Sequence, residues 1–246
     1  MSSWMAPIQP GFSTAGPLSA NRATQGVSPV AFASPSIQTA LGLLSQVTHR
    51  PEDIAYLRWL GVDLLYTSGA EALQAIQQRG ASVVFGDLGD TTAHAEWRAT
   101  ENRIVINQRY QGDTSPATLY GIAAAIYHEA GHVARLGDGS ASVQEEVNCL
   151  ALNVLAHRYF SQTSPAYQFA ASQSRLITDG VALYDRLFFD PSVDKLPLIH
   201  RVISKYGMLP LASADHPLVQ TPGFQLARRV GQTLREQYQN VGLVGV

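Results

Sequence analysis

Residues 128–132 read His-Glu-Ala-Gly-His, and the residues on both sides of them are mostly apolar. On a helix, His128 and His132 are four positions apart, so both imidazoles project from one face about one turn apart. Two imidazoles placed in this way can reach one zinc ion with bonds of about 2.0–2.1 Å. The pentapeptide therefore predicts a helix that carries two ligands of a Zn2+ site.

Glu129 follows the first histidine directly, so its carboxylate emerges beside the metal without binding it. In that place it can accept a proton from a water at the metal and later return the proton to a leaving amine. The metal helps by lowering the pKa of that water towards ~7. The three side chains together predict hydrolysis of a peptide bond with Zn2+ as cofactor and Glu129 as general base.

A catalytic zinc site needs a third protein ligand, and three acidic residues after the motif are candidates. Asp138 stands six residues past His132, as in the metzincin pattern, but Arg135 occupies the position where that pattern needs a glycine. The following helix carries Glu146 beside its apolar stripe, whereas Glu145 points almost directly away from that stripe. Glu146 is therefore the predicted third ligand, and Glu145 and Asp138 are the alternatives. Both glutamates also suit the start of a helix without any metal.

The pattern around the motif predicts an α+β fold. Helical periodicity runs from about residue 38 to 79, and three short apolar stretches between Val83 and Tyr110 indicate an antiparallel meander of three strands. Ser115 and Pro116 mark the start of the motif helix, which precedes a ligand helix over about 142–160. We expect a small antiparallel sheet packed on these two helices. Further C-terminal helices are expected over about 172–189, 195–206 and 222–239.

The motif, followed by Glu145-Glu146-Val147-Asn148-Cys149-Leu150-Ala151, resembles the gluzincin branch of the zincins and, within it, the ImmA/IrrE metallopeptidases. The resemblance covers roughly residues 80–160. The chain departs from that family's pattern at Gln144, where a glutamate would stand, and at Val147, which replaces an alanine. The resemblance implies a zincin-like fold and a zinc-dependent endopeptidase that acts on a protein or peptide substrate.

The resemblance also implies how such a substrate would bind. Zincins of this branch place an edge strand above the metal, and the substrate pairs with it in extended form. The predicted strand Arg103 to Tyr110 would have this role. A Tyr or His usually stabilises the oxyanion, and the available residues are Tyr110, His157, His200, Tyr206 and His216.

The whole-chain composition excludes several classes of protein. The 246 residues have a formal net charge of -2, which gives no reason to expect nucleic acid as a partner. No apolar run approaches the roughly 18 residues that a membrane span requires. The single cysteine, Cys149, cannot form an internal disulfide, and the N-terminus lacks the order of a secretory signal peptide. We therefore expect a cytoplasmic protein.

Residues 1–37 are rich in Ser, Pro, Gly and Ala, and Arg22 is their only charged residue. Such a segment buries too little apolar surface to offset its ordering entropy, so it is predicted to be a flexible tail. Residues 38–246 are predicted to form the zincin-like metallopeptidase domain. Because the tail resembles the N-termini of secreted effectors, export through a non-classical signal is a second expectation for localisation.

Three other functions are compatible with parts of the same pattern. A zincin-like domain can bind or regulate a partner without turnover. A secreted effector or toxin protease would use residues 1–37 as its export signal. Peptide deformylases also carry such a helix, but their cysteine ligand precedes it, whereas Cys149 follows it.

Overall fold

The computed structural model describes residues 34–59, 62–89, 93–134, 142–173, 185–186 and 188–190. Over these residues the chain is α+β, as expected, with six longer helices and three strands. The helices are α1 (Pro35–Ser45), α2 (Pro51–Trp59), α3 (Gly69–Gln78), α4 (Pro116–Ala134), α5 (Val143–Thr163) and α6 (Pro165–Gln173). The strands are β1 (Ser82–Gly86), β2 (Ala95–Arg98) and β3 (Arg103–Asn107).

Helix α4 is the centre of the fold and contains the motif. It begins at Pro116 as predicted, and Ser115 caps it by accepting a hydrogen bond from the Thr118 N–H at 3.4 Å. The helix is apolar on nearly every side and packs against α1, α3, α5, α6 and the sheet, so it is largely buried. The motif therefore lies on a rigid element rather than on a surface helix.

The sheet differs from the predicted antiparallel meander. Its order is β1-β3-β2, with β1 parallel to β3 and β2 antiparallel to β3. Only β2 and β3 form the expected hairpin, which turns at Asn102 with a left-handed φ of 50°. Strand β3 takes the central position because Ile104, Val105 and Ile106 are all buried, which requires cover on both faces and both edges.

The same finding corrects the role given to the strand that begins at Arg103. This strand ends at Asn107 and pairs with a neighbour on each side, so it offers no free edge to a substrate. Among the described residues, strand β2 pairs only with β3 and is therefore the edge strand on the antiparallel side, where it packs against α4. Any extended peptide that joins this side of the sheet would therefore pair with β2.

Helix α5 follows α4 and packs closely on it. Ser142 caps α5 by accepting a hydrogen bond from the Glu145 N–H at 3.1 Å. A methyl group at Gly131 would lie 2.6 Å from the Cys149 sulfur, so the contact between the helices depends on the absence of a side chain there. This close approach brings the first turns of α5 over the motif.

The segment between α2 and α3 is attached to the same two helices. The Tyr66 hydroxyl donates a hydrogen bond to the carbonyl of Ala130 at 2.9 Å, and the Asp63 N–H donates to Asn148 Oδ1 at 3.1 Å. Both contacts come from residues more than sixty positions away along the chain. They attach the motif segment of α4 and the early turns of α5 to the same segment, the one between α2 and α3.

Several expectations concern the ends of the chain. Helix α1 begins at Pro35 and buries Ile37, so residues 35–37 belong to the domain rather than to the predicted tail. Residues 1–33 and the helices predicted at 195–206 and 222–239 lie outside the described residues. No helix in the described part of the chain is long and apolar enough to cross a bilayer.

Candidate metal centre

His128, His132 and Glu146 come together between α4 and α5. The Nε2 atom of His128 lies 3.6 Å from Glu146 Oε2, and the Nε2 atom of His132 lies 3.5 Å from Glu146 Oε1. The three side chains are 12%, 13% and 8% exposed. One carboxylate thus faces both imidazoles in a nearly closed site, which has the composition predicted from the sequence.

The two distances suit a shared metal ion better than direct contact. A hydrogen bond between nitrogen and oxygen is about 2.7–3.2 Å long, so 3.5 and 3.6 Å are too long for one. Donor atoms that share a tetrahedral zinc ion at about 2.0–2.1 Å are about 3.3 Å apart, and each histidine nitrogen lies near that distance from a different oxygen of Glu146. Two imidazole nitrogens and a carboxylate are also an established zinc-binding donor set. The residues therefore fit Zn2+.

Glu145 is also part of the centre, contrary to the expectation from the sequence. It is 6% exposed, and its Oε1 accepts a hydrogen bond of 2.6 Å from His132 Nδ1. The apolar stripe of the whole helix does not describe its first turn, where two consecutive carboxylates face the two nitrogens of one ring. Glu145 meets Nδ1 and Glu146 faces Nε2.

The charge of His132 depends on these neighbours. Burial alone would lower its pKa, whereas its contact with Cys149, its hydrogen bond to Glu145 and the negative charge of Glu129 raise it, and the net pKa lies well above the ordinary 6.5. Burial raises the pKa of the Cys149 thiol, which is therefore neutral near pH 7. The carboxylates of Glu145 and Glu129 consequently account for the raised pKa of the His132 imidazole.

Cys149 forms a second possible donor group with the two histidines. One ligand atom from each of His128, His132 and Cys149 lies within 4.8 Å of the others. The sulfur is 3.8 Å from His132 Nδ1, the nitrogen that already donates to Glu145. A metal bound through Nδ1 would have to displace that short hydrogen bond, so the set with Glu146 is favoured. Cys149 was not among the predicted ligands, because the cysteine ligand of the deformylase pattern precedes the motif.

Glu129 is buried to 7% exposure on the same helix. Among the described residues, none donates a hydrogen bond to its carboxylate, and its negative charge acts on His132. A carboxylate in this place can exchange a proton with a small molecule in the site without first breaking a strong protein contact.

The side of α4 away from the zinc candidates carries a polar contact within the core. The Tyr127 hydroxyl donates a hydrogen bond to His49 Nε2 at 3.0 Å, and burial lowers the pKa of His49 to about 4. The ring of Tyr127 also stacks on that of Tyr66 at 6.3 Å. These contacts fix the rotation of α4 and, with it, the direction in which His128 and His132 project.

The described part of the chain contains two of the predicted oxyanion residues, and their recorded contacts are with groups other than the zinc candidates. His157 is buried eleven positions after Glu146, which corresponds to about 16 Å along α5, and it contacts Tyr167. Tyr110 is half-buried in a cluster with His94 and Arg109. The other candidates, His200, Tyr206 and His216, and the alternative ligand Asp138 lie outside the described residues.

Comparison of the chain with models of protein families, with curated protein sequences and with solved structures gave no match. The function is therefore inferred from the site itself.

Proposed function

We propose that the chain is a zinc-dependent endopeptidase of the gluzincin type that hydrolyses a peptide bond in a protein substrate. The observation that carries the proposal is the position of the Glu146 carboxylate, 3.5–3.6 Å from Nε2 of both His128 and His132. The separation suits three ligands of one tetrahedral ion, and Glu129 stands beside them on α4. His128, His132 and Glu146 would hold the metal.

Zinc bound there would supply Lewis acidity, which makes a water more acidic and polarises a substrate carbonyl. Glu129 would take a proton from the attacking water and deliver it to the leaving amine. The burial of the three ligands keeps bulk water away from them and strengthens their attraction for a cation. The buried motif helix, supported by Tyr66 and Tyr127, keeps these groups in fixed positions.

The substrate would pair with β2. Asn107 N–H donates to the His94 carbonyl at 3.0 Å, so residues 94, 96 and 98 direct their backbone groups towards β3 in the antiparallel ladder. Ala95 and Trp97 then direct theirs to the outer edge. An extended peptide can hydrogen-bond to that edge. This mode of binding recognises the backbone of the substrate more than its side chains.

The test begins with the metal content of purified protein, measured by elemental analysis. We expect about one zinc per chain, lost in His128→Ala. Cleavage is then followed by mass spectrometry on a library of proteome-derived peptides. Glu129→Gln should retain zinc and lose cleavage by about 100-fold or more, as expected for loss of a general base.

Glu52→Gln is the matched control because it makes the same chemical change at a side chain that is 66% exposed and distant in sequence from the motif. It should leave both zinc and cleavage unchanged. Protein without zinc, or full cleavage by Glu129→Gln, would overturn the proposal. Stoichiometric zinc without cleavage of any peptide would favour a domain that binds or regulates a partner without turnover.

A further inference from the structure

His132 is contacted through both nitrogens of its ring. Nε2 faces Glu146 at 3.5 Å, and Nδ1 donates a hydrogen bond to Glu145 at 2.6 Å. An imidazole can bind a metal only through a nitrogen that carries no proton, and the hydrogen bond made by the other nitrogen decides which one that is. The hydrogen bond to Glu145 therefore decides which nitrogen of His132 can bind a metal.

We propose that Glu145 is a positioning residue, which keeps the proton of His132 on Nδ1 and presents Nε2 to the metal. The inference rests on the proposed function, because it assumes that His132 is a ligand. It gives the two adjacent glutamates different roles: Glu146 faces the site, and Glu145 orients the ring from behind. A carboxylate in this position also makes the imidazole a more basic ligand.

The burial of Glu145 argues against a role in the helix alone. A carboxylate in the first turn of α5 would interact favourably with the helix dipole, but it could do so from solvent. Glu145 is instead 6% exposed, and a buried carboxylate is costly unless it is paired. The end of the helix is already capped by Ser142, whose hydroxyl accepts the Glu145 N–H.

Cys149 is the other neighbour of Nδ1, at 3.8 Å. It is a weak hydrogen-bond partner compared with a carboxylate, since a thiol is a poor acceptor and the distance is long. Its sulfur instead packs closely against Gly131, on the helix that carries His132. Glu145 alone supplies a charged acceptor at short range among the neighbours described.

The test compares the zinc affinity of variants by competition with a chelator of known affinity. Glu145→Ala should weaken zinc binding by about 10–100-fold, the range found for loss of a partner behind a metal-binding histidine. Glu145→Gln should fall between Ala and wild type, because its amide oxygen still accepts the Nδ1 proton but carries no charge. Ser142→Ala is the control: it weakens the same helix end, so the melting temperature should fall while zinc affinity stays unchanged.

A second measurement distinguishes positioning from a general loss of structure. In zinc-loaded protein with 15N-labelled histidine, the Nδ1 proton of His132 should resonate far downfield because its hydrogen bond to Glu145 is short. The signal should move upfield or exchange with water in Glu145→Ala and persist in Ser142→Ala.

Two results would overturn this role: wild-type zinc affinity in Glu145→Ala, or an equal loss of affinity in Ser142→Ala. Absence of zinc from the wild-type protein is a different result, which would overturn the proposed function and the role of Glu145 with it.

Discussion

Gly131 of α4 faces the sulfur of Cys149 on α5 so closely that an added methyl group would lie 2.6 Å from it. Leu152 would be the next neighbour, at 3.3 Å. The two helices therefore approach each other to a distance that only glycine allows. Since α4 carries both histidines and α5 carries Glu146, this contact sets the spacing of the candidate metal ligands.

Gly131→Ala should separate the two helices. We expect the free energy of unfolding to fall by about 1–2 kcal/mol, because overpacking costs more than the better helix propensity of alanine returns. Zinc affinity should fall as well, since Glu146 moves with α5. Denaturant unfolding and zinc competition measure the two effects.

Gly42→Ala is the matched control, because Gly42 lies in α1 and an added methyl group meets nothing within 4 Å. It should stabilise the protein by about 0.5–1 kcal/mol and leave zinc affinity unchanged. Removal of the sulfur with Cys149→Ala should restore part of the loss in Gly131→Ala. No recovery in the double variant would show that the clash is not the cause.

Glu146→Gln should remove most of the zinc binding if Glu146 is the third ligand. The expected loss exceeds the ~10–100-fold typical of residues behind the ligands. Asp138→Asn tests the alternative ligand and should bind zinc as the wild type does. The reverse order of the two affinities, measured by chelator competition, would assign the third ligand to Asp138.

Acid should destabilise the protein through His157. Burial lowers the pKa of His157 to about 4, compared with about 6.5 in the unfolded chain. Between these two values the unfolded state binds more protons, so the free energy of unfolding should fall as the pH drops from 6.5 to 4. The contribution is about 3 kcal/mol at most, and it is constant below the lower pKa. Urea unfolding at a series of pH values measures this slope.

His157→Gln should reduce the slope, whatever its effect on stability at pH 7. Tyr167→Phe is the control, because it removes the hydroxyl that lies 2.9 Å from His157 Nδ1 and leaves the imidazole buried. Its pH dependence should stay close to that of the wild type. An undiminished slope in His157→Gln would assign acid sensitivity to other groups, among them His49, whose pKa is lowered in the same direction.

The outer edge of β2 can be blocked with a single proline. Ala95→Pro removes a backbone N–H that points away from β3, so the ladder within the sheet should survive. We expect zinc affinity to remain and cleavage of protein and peptide substrates to fall by about 10-fold or more through KM, as loss of backbone pairing predicts. Steady-state kinetics on a cleaved library peptide would measure this.

Ala95→Val keeps the N–H and should cleave the same peptide nearly as fast as the wild type does. Normal kinetics in Ala95→Pro would mean that the substrate does not pair with this edge. A loss of zinc in Ala95→Pro would instead show that the sheet supports α4 more strongly than its contacts suggest.

Local patterns were sufficient to predict the centre of the fold. Ser115 and Pro116 marked the start of α4, and helical spacing placed His128 and His132 on one face. The position of Glu146 beside the apolar stripe of α5 followed from the same periodicity. These features depend on residues that are close in sequence, where helix geometry fixes the relative directions of side chains.

Features that depend on distant residues could not be predicted in this way. The pairing of β1 with β3 joins segments about twenty residues apart, and alternation within each strand does not encode which neighbour it takes. The inward direction of Glu145 depends on how the first turn of α5 sits over His132. The support of Asn148 by Asp63 likewise spans 85 positions.

Ser142 caps α5 one turn before the two carboxylates that meet His132, so the candidate ligands come from two places of unequal rigidity. One is a helix that is buried on nearly every side, and the other is the first turn of α5, where fraying costs least. An ion held between them would keep the first turn of α5 closed. The opening of that turn would then set the rate of metal exchange. A weakened cap would raise the rates of zinc binding and zinc release by the same factor, so the affinity would not change.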